Sequence, residues 1–165
     1  MSGPAVLVRI DDRLLHGQVL VAWAQALRPH RIVLASDEVA ADPVRRAVYA
    51  ALPHEDYEVA VETLAAAAAE LSHAARASRR LLVVCGRPAD ARRLFELGAA
   101  PSQVNVGGMH LAEGKRQLLA YVFLSRQDAE DLRALVERGV LVEARDLPGS
   151  RGVRLDAAAL ERLWA

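Results

Sequence analysis

The stretch that decides the fold is Leu81-Leu82-Val83-Val84-Cys85-Gly86-Arg87-Pro88, in which five apolar residues are followed by a glycine, an arginine and a proline. Such a run between polar residues is typical of a strand that is buried on both faces. Pro88 can occupy the first turn of a helix, and Gly98 can end that helix. The segment therefore predicts a buried strand that leads directly into a helix.

The same alternation of strand and helix patterns continues on both sides of this segment. The predicted strands are Ala5–Ile10, Arg31–Ala35, Tyr57–Val61, Leu81–Cys85, Gln103–Val106, Leu118–Leu124 and Val140–Ala144. The predicted helices are Gly17–Leu27, a helix capped by Asp37 that contains Val44, Val48 and Leu52 and stops at Pro53, Glu62–Arg76, Pro88–Leu97, a helix from the cap Ser125 to Arg138, and Asp156–Trp164. The pattern predicts one α/β domain over residues 1–165, with a mainly parallel central sheet, helices on both faces and an antiparallel edge strand.

The composition excludes several classes of protein. The 21 basic residues balance the 21 acidic ones, so no basic field favours nucleic acid or an anionic membrane surface. Cys85 is the single cysteine, which rules out an internal disulfide framework. The start of the chain lacks a signal-peptide pattern, and no apolar run is long enough for a membrane span. We expect a cytoplasmic protein that needs neither a metal nor a cofactor.

A candidate anion site follows the first predicted strand. The loop reads Asp11-Asp12-Arg13-Leu14-Leu15-His16-Gly17-Gln18. In open α/β sheets ligands bind where strands end and helices begin, because the free amides and dipole of a helix start attract anions. Gly17 carries no side chain that could block a phosphate-sized group. Arg13 can present a planar set of donors to phosphoryl oxygens.

His16 is the candidate nucleophile in this loop. An imidazole is partly neutral near pH 7, so it can accept a phosphoryl group and later release it. Asp11 and Asp12 would repel a phosphoryl group, and we expect them to orient Arg13 or to cap the loop. A single histidine near a helix start is more often a capping or surface residue. The residues alone therefore predict an anion site and a competent nucleophile, but they do not define a reaction.

Other polar candidates have simpler alternative roles. Gly107 and Gly108 could wrap backbone amides around a phosphoryl group, or could form an ordinary tight turn. Asp37 could face the same crevice, although an N-cap role is favoured. His110 could be a second relay histidine, but a surface role is favoured. Nucleotide binding has little support, because neither GxGxxG nor the P-loop spacing occurs.

Three ordered segments resemble the IIB components of the mannose/fructose/sorbose family of bacterial phosphotransferase systems. They are Val8-Arg9-Ile10-Asp11-Asp12-Arg13-Leu14-Leu15-His16-Gly17-Gln18-Val19, Ser36-Asp37-Glu38-Val39-Ala40-Ala41-Asp42, and Val104-Asn105-Val106-Gly107-Gly108-Met109 with Gly114-Lys115 beyond it. The resemblance extends from about Val6 to about Arg145. It implies an α/β fold with a mainly parallel sheet.

The resemblance also implies an activity, that of a protein-N(pi)-phosphohistidine–sugar phosphotransferase. His16 would accept a phosphoryl group on Nδ1 from the phosphohistidine of a IIA protein, with Arg13 helping to hold it. The group would then pass to a sugar bound by the membrane components IIC and IID. Contact with the membrane would come only through these partners, and the resemblance leaves self-association open.

Three segments depart from the family pattern. Cys85-Gly86-Arg87-Pro88 replaces a Thr-Asn-Pro type of stretch. Arg87 is an alternative hydrogen-bond donor to a bound phosphate there. His110-Leu111-Ala112-Glu113 replaces Phe-Arg-Gln before Gly-Lys, and Leu118–Leu124 is more apolar than expected. These changes motivate an alternative hypothesis, a regulatory protein that senses phosphorylation and is not coupled to sugar transport.

Overall fold

The computed structural model describes residues 6–52 and 55–165. Its strands are β1 Val6–Ile10, β2 Arg31–Ala35, β3 Glu58–Glu62, β4 Leu81–Cys85, β5 Gln103–Val106, β6 Arg116–Leu119, β7 Val122–Leu124, β8 Leu141–Ala144 and β9 Val153–Arg154. Its helices are α1, which has a π-helical part Gln18–Trp23 and an α-helical part Ala24–Leu27, α2 Asp37–Ala41, α3 Pro43–Ala50, α4 Leu64–Arg76, α5 Pro88–Glu96, α6 Arg126–Glu137 and α7 Ala157–Arg162. The predicted strand start at Ala5 and helix stop at Pro53 lie outside the described residues.

The central sheet has the strand order β3-β2-β4-β1-β5-β8-β9. Pairing is parallel from β3 across to β8, and β9 closes one edge by pairing antiparallel with β8. The predicted α/β class, the mainly parallel sheet and the antiparallel edge strand are therefore confirmed. β1 lies between β4 and β5, so the residues that follow it are surrounded by the ends of two neighbouring strands.

Alternate residues of the central strands pack against two different layers of helix. On β1, Val8 and Ile10 belong to a core that also holds residues of α4, α5, α6 and α7. Leu7 belongs to the core on the opposite face, with Trp23 of α1 and Val39 of α2. Arg9 points to this second face and is fully buried there.

The region after β2 differs from the prediction of one helix capped by Asp37. Ser36 is the N-cap of α2 and accepts a hydrogen bond from the Val39 amide. Asp42 then caps a separate helix, α3, whose second residue is Val44. Val44 and Val48 are 72% and 61% exposed, so their helical spacing does not mark a face that packs against the core. The two adjacent cap sequences, Ser36-Asp37 and Asp42-Pro43, break the single helix.

The strand predicted over Leu118–Leu124 is also wrong. This segment lies within an antiparallel hairpin, in which β6 and β7 form a small separate sheet with an irregular register. The chain reverses at Ala120 and Tyr121, and Met109 bridges to Val122. A capping box formed by Ser125 and Asp128 then starts α6, and this confirms the predicted cap at Ser125.

Within the described residues, no helix is long and apolar enough to cross a membrane.

Candidate active site

The loop after β1, residues 11–17 and here called the β1 loop, is held between the ends of the two neighbouring strands. The Asp11 amide donates to the carbonyl of Cys85, at 2.9 Å, where β4 ends. The Asp12 amide donates to the carbonyl of Gly108, at 2.9 Å, just beyond β5. Leu14 adopts a left-handed conformation, with a φ of 58°, which turns the chain back toward His16. The sheet therefore fixes where the β1 loop begins and how it bends.

Asp11 is the centre of a buried polar cluster. Its Oδ2 lies 2.9 Å from Nη2 of Arg9 and 3.1 Å from Nε2 of His16. The same oxygen accepts a hydrogen bond from the Gly108 amide, at 3.2 Å. Its Oδ1 accepts from the Arg13 amide at 3.1 Å and lies 3.4 Å from Nε of Arg13. One carboxylate thus links His16 to two arginines and to the loop after β5.

The surroundings of Asp11 favour its charged form. Burial alone would raise the pKa of this carboxyl. The Arg9 charge, the contact with His16 and the Gly108 amide oppose burial, and they hold the pKa below its ordinary value. Burial lowers the pKa of Arg9, but a guanidinium starts so high that it stays charged at neutral pH. Arg9 and Asp11 therefore form a buried ion pair beneath His16.

His16 turns its two ring nitrogens toward different surroundings. Its Nε2 is enclosed and faces Asp11 at ion-pair distance, although the contact lies outside hydrogen-bond geometry. Its Nδ1 makes no hydrogen bond with any described residue. The side chain keeps 18% of its surface exposed. The ring is thus anchored on one side and accessible from the other.

The start of α1 lies next to His16. Gly17 has helical backbone angles, and no side chain caps its end of the helix. A Cβ built on Gly17 would meet nothing within 4 Å, so the space beside it is open. Arg13 extends along the same turn and donates from Nη2 to the side chain of Gln18, at 2.9 Å. A cation, a helix start and an open space therefore adjoin the ring, an arrangement that suits a phosphate-sized anion.

The amides of the two glycines after β5 are already engaged within the protein. The Gly107 amide donates to the Ile10 carbonyl at 2.7 Å, and the Gly108 amide donates to Asp11. Neither amide is free to wrap around a phosphoryl group in this structure. The absent side chains matter instead, since a Cβ on Gly107 would lie 2.2 Å from the Arg9 guanidinium. Gly107 leaves room for a buried arginine.

Asp37 does not join the His16 cluster. Its carboxylate accepts a hydrogen bond from the Leu64 amide, at 2.9 Å, and so ties the start of α2 to the start of α4. Our favoured N-cap role for it is wrong, because Ser36 occupies that position.

Asp12, His110 and Arg87 lie near the site with partners of their own. Asp12 accepts two hydrogen-bond contacts from His110, one from its amide and one from Nδ1, each at 2.6 Å. The His110 side chain is 61% exposed, as expected of a surface histidine. Arg87 is 68% exposed and pairs with Asp90, so its guanidinium is already partnered.

Sequence reasoning missed Arg9, Asn105 and Trp23 as parts of the site. Nη1 of Arg9 donates to the side chain of Asn105, which lies opposite it on β5. The indole of Trp23 covers the guanidinium at 4.7 Å. A signal was present, because an arginine inside an apolar strand needs buried polar partners, and Asn105 interrupts another apolar strand in the same way.

Comparisons with known proteins agree on one family. A family model described as the PTS system sorbose subfamily IIB component matches residues 5–161. The N-acetylgalactosamine-specific phosphotransferase enzyme IIB component 1 of Escherichia coli strain K12 is 34% identical over 154 residues, which cover 92% of this chain and 96% of that protein. The mannose-specific EIIAB component of the same strain is 36% identical over 139 residues, which cover 84% of this chain and 43% of that protein.

Solved structures agree as well. The IIBSor domain of the sorbose permease from Klebsiella pneumoniae superposes with a TM-score of 0.84 at 29% identity, covering 98% of both chains. A family match over nearly the whole chain, relatives above 30% identity and a shared fold all point the same way. The chain belongs to the sorbose subfamily of phosphotransferase-system IIB components, a family of sugar-specific phosphoryl transfer.

Proposed function

We propose that this chain is a phosphocarrier in which Nδ1 of His16 accepts a phosphoryl group from a IIA phosphohistidine. The group then passes to a sugar bound by the membrane components IIC and IID. The observation that carries the proposal is the orientation of the His16 ring, with Nε2 against the Asp11 carboxylate and Nδ1 without a hydrogen bond to any residue that the structure describes.

Asp11 gives the ring the tautomer that this chemistry needs. A carboxylate 3.1 Å from Nε2 favours a proton on that nitrogen. In the neutral ring, the lone pair then lies on Nδ1, where it can attack phosphorus. Because the Asp11 pKa is held low, the carboxylate is ionised at neutral pH and keeps this preference.

In the first transfer, the Nδ1 lone pair forms a new P–N bond while the P–N bond of the donor histidine breaks. The electron pair of the broken bond leaves with the donor ring. His16 keeps its proton on Nε2, and Asp11 balances the positive charge that the ring acquires. In the second transfer, a sugar hydroxyl oxygen bonds to phosphorus and gives up its proton to water, while the P–N bond breaks and its electron pair returns to Nδ1 of His16.

Arg13 and the start of α1 are suited to hold the phosphoryl oxygens. Phosphoryl transfer depends mainly on positioning and on charge stabilisation. Arg13 supplies a partly exposed guanidinium whose position is set by Asp11 and Gln18. The open space beside Gly17 accepts the group without displacing a side chain.

The names of the relatives support the class of partner but not one sugar. One relative is an EIIAB component, which by its name carries a IIA part, and this chain matches 43% of it. The relatives are named for N-acetylgalactosamine, mannose, fructose and sorbose. We therefore propose a IIA donor and a sugar acceptor, and leave the sugar to the membrane partner.

The test is a transfer assay with the isolated chain and a IIA protein that carries labelled phosphohistidine. The wild-type chain should take up one acid-labile phosphoryl group, and His16→Ala should take up none while it keeps its unfolding curve. His73→Ala is the matched control, because His73 is exposed on α4 and should not affect labelling. Labelling of the His16→Ala variant would contradict the proposal.

The second transfer needs its own measurement. The labelled chain is mixed with membranes that contain IIC and IID from the same organism, and candidate sugars are added one at a time. Release of label as a sugar phosphate supports the transport role. If His16 is labelled but no sugar removes the label, the regulatory alternative is favoured.

A further inference from the structure

Arg9 is the most deeply enclosed charge near the site. Its side chain has no exposed surface, and its partners come from β5, from the loops that follow β1 and β8, and from α1. Nη2 contacts the Asp11 carboxylate at 2.9 Å and the Asp146 carbonyl at 3.2 Å. Nη1 contacts the side chain of Asn105 and the carbonyl of Arg145, the latter at 3.0 Å. A buried cation with this many oriented acceptors has a single position available to it.

The surrounding residues leave room for a guanidinium and for little else. Trp23 covers its face at 4.7 Å, and the Trp23 indole donates to the same Asp146 carbonyl, at 2.9 Å. A side chain at Gly107 would collide with it. Lysine would keep the charge in this space but would lose the planar fork that reaches Asp11 and Asn105 together.

The link from Arg9 to His16 is one oxygen atom. Oδ2 of Asp11 lies 2.9 Å from the Arg9 guanidinium and 3.1 Å from Nε2 of His16. Arg13 and the Gly108 amide also hold this carboxylate, but Arg13 is 40% exposed and reaches mainly the other oxygen. Arg9 is thus the buried counter-charge on the atom that faces the histidine.

We propose that Arg9 is a positioning residue for His16, which it orients through Asp11 without touching the phosphoryl group. The inference rests on the proposed function, since it assigns to Arg9 the preparation of the nucleophile for that reaction. Without Arg9, the Asp11 carboxylate has no buried partner and relaxes toward Arg13 or solvent. The His16 ring then loses the nearby negative charge that favours a proton on Nε2.

The experiment measures the His16 ring directly. The ¹⁵N shifts of the two ring nitrogens are recorded in the unphosphorylated chain, at a pH where the ring is neutral. In the wild type the proton should reside mainly on Nε2, and in Arg9→Met this preference should disappear. Transfer from labelled IIA should fall by about tenfold or more in Arg9→Met, since small displacements of a reacting group have effects of this size. Arg9→Lys should recover part of the Nε2 proton preference and part of the transfer rate.

Arg31→Met is the matched control. Arg31 also lies in a strand of the central sheet and pairs with carboxylates, those of Glu58 at 3.6 Å, Glu62 at 3.2 Å and Glu70 at 3.0 Å, but none of these pairs involves the β1 loop. The Arg31→Met variant should be less stable than the wild type, while the ¹⁵N shifts of His16 and the transfer rate should stay as in the wild type. If Arg9→Met does not fold, the shifts of Arg9→Lys decide, and they should show a weakened Nε2 preference.

A wild-type proton distribution and a wild-type rate in the folded Arg9 variants would overturn this proposal. The ring shifts are read without any partner or phosphate. They therefore test Arg9 even if the wild-type chain fails to take label, a result that would instead contradict the proposed function.

Discussion

Two loops leave the same edge of the sheet side by side, and they differ in almost every other respect. The β1 loop follows Ile10, and the β4 loop, residues 86–87, follows Cys85, which pairs with Ile10 in register. The β1 loop contains an enclosed carboxylate that binds His16 and two arginines. In the β4 loop, the exposed Arg87 pairs with Asp90 of α5, whose side chain is only 11% exposed.

The strand residues beneath the loops explain this difference. β1 carries Arg9, a buried charge that requires a partner at the strand end, and Asp11 is that partner. β4 is apolar throughout and ends in Cys85, whose pKa is raised by burial so that the thiol stays neutral. A place at the carboxyl edge therefore does not by itself make an active site. A polar residue inside the strand is what fixes the chemistry above it.

Asp11→Asn should have the largest effect, because it removes the enclosed carboxylate that distinguishes the β1 loop from the β4 loop. The amide cannot attract the Nε2 proton as a carboxylate does, and Arg9 loses its buried counter-charge. We expect phosphoryl transfer from IIA to fall by about 100-fold or more, as for other carboxylates that orient a catalytic histidine. We also expect a loss of about 3 kcal/mol in the free energy of unfolding, because one member of a buried ion pair remains alone.

Rates are compared only where circular dichroism shows a folded variant at the assay temperature. A folded Asp11→Asn chain that transfers at the wild-type rate would show that the carboxylate is structural only. In that case the β1 loop would owe its activity to Arg13 and the helix start.

The second prediction concerns acid stability, and it has a smaller effect. The Asp11 pKa is lower in the folded chain than its ordinary value of 3.8. A carboxyl of this kind stabilises the fold above its unfolded pKa, and the stabilisation is lost as pH falls through the folded pKa. The difference in unfolding free energy between the wild type and Asp11→Asn should therefore shrink below about pH 4. Urea unfolding at a series of pH values measures it, and a constant difference would contradict the prediction.

Arg87→Ala should have the smallest effect. Arg87 is exposed, but the Asp90 side chain is only 11% exposed, so we expect the free energy of unfolding to fall by about 1 kcal/mol, the upper end of the range for surface pairs. Because Asp90 already holds the guanidinium, we expect transfer rates within about twofold of the wild type in the same assay. A loss of tenfold or more would make Arg87 a phosphate contact and would remove the functional contrast between the two loops.

The fold could be predicted well where strand patterns are short and clearly bounded. Leu81–Cys85 and Gln103–Val106 have the predicted bounds, because runs of β-favouring residues end at glycines or polar residues. The strand predicted over Leu118–Leu124 failed because local apolar content does not show where a chain reverses. The helix predicted after Asp37 failed because two successive caps compete there, and periodicity alone ignored the second.

The site was predictable only in its local part. His16, Arg13 and Gly17 are close in sequence, and the start of a helix after a strand brings them together. The partner of Arg9 on β5, Asn105, lies 96 positions away, so no local pattern connects the two. The space for Arg9 beside Gly107 depends on the same strand pairing, which only the folded sheet supplies.

The π-helical part of α1 determines the direction in which the side chains at its end, such as Trp23, point. A π-helix closes each hydrogen-bonded ring with one residue more than an α-helix does. An α-helix turns by about 100° per residue, so winding the same six residues, Gln18–Trp23, as a regular α-helix would rotate the indole of Trp23 away from its present direction by roughly the turn of one residue. The ring would leave the guanidinium of Arg9, although every side chain of the β1 loop would be unchanged. The π-helical winding of this segment is therefore as specific a requirement as the identity of the residues that precede it.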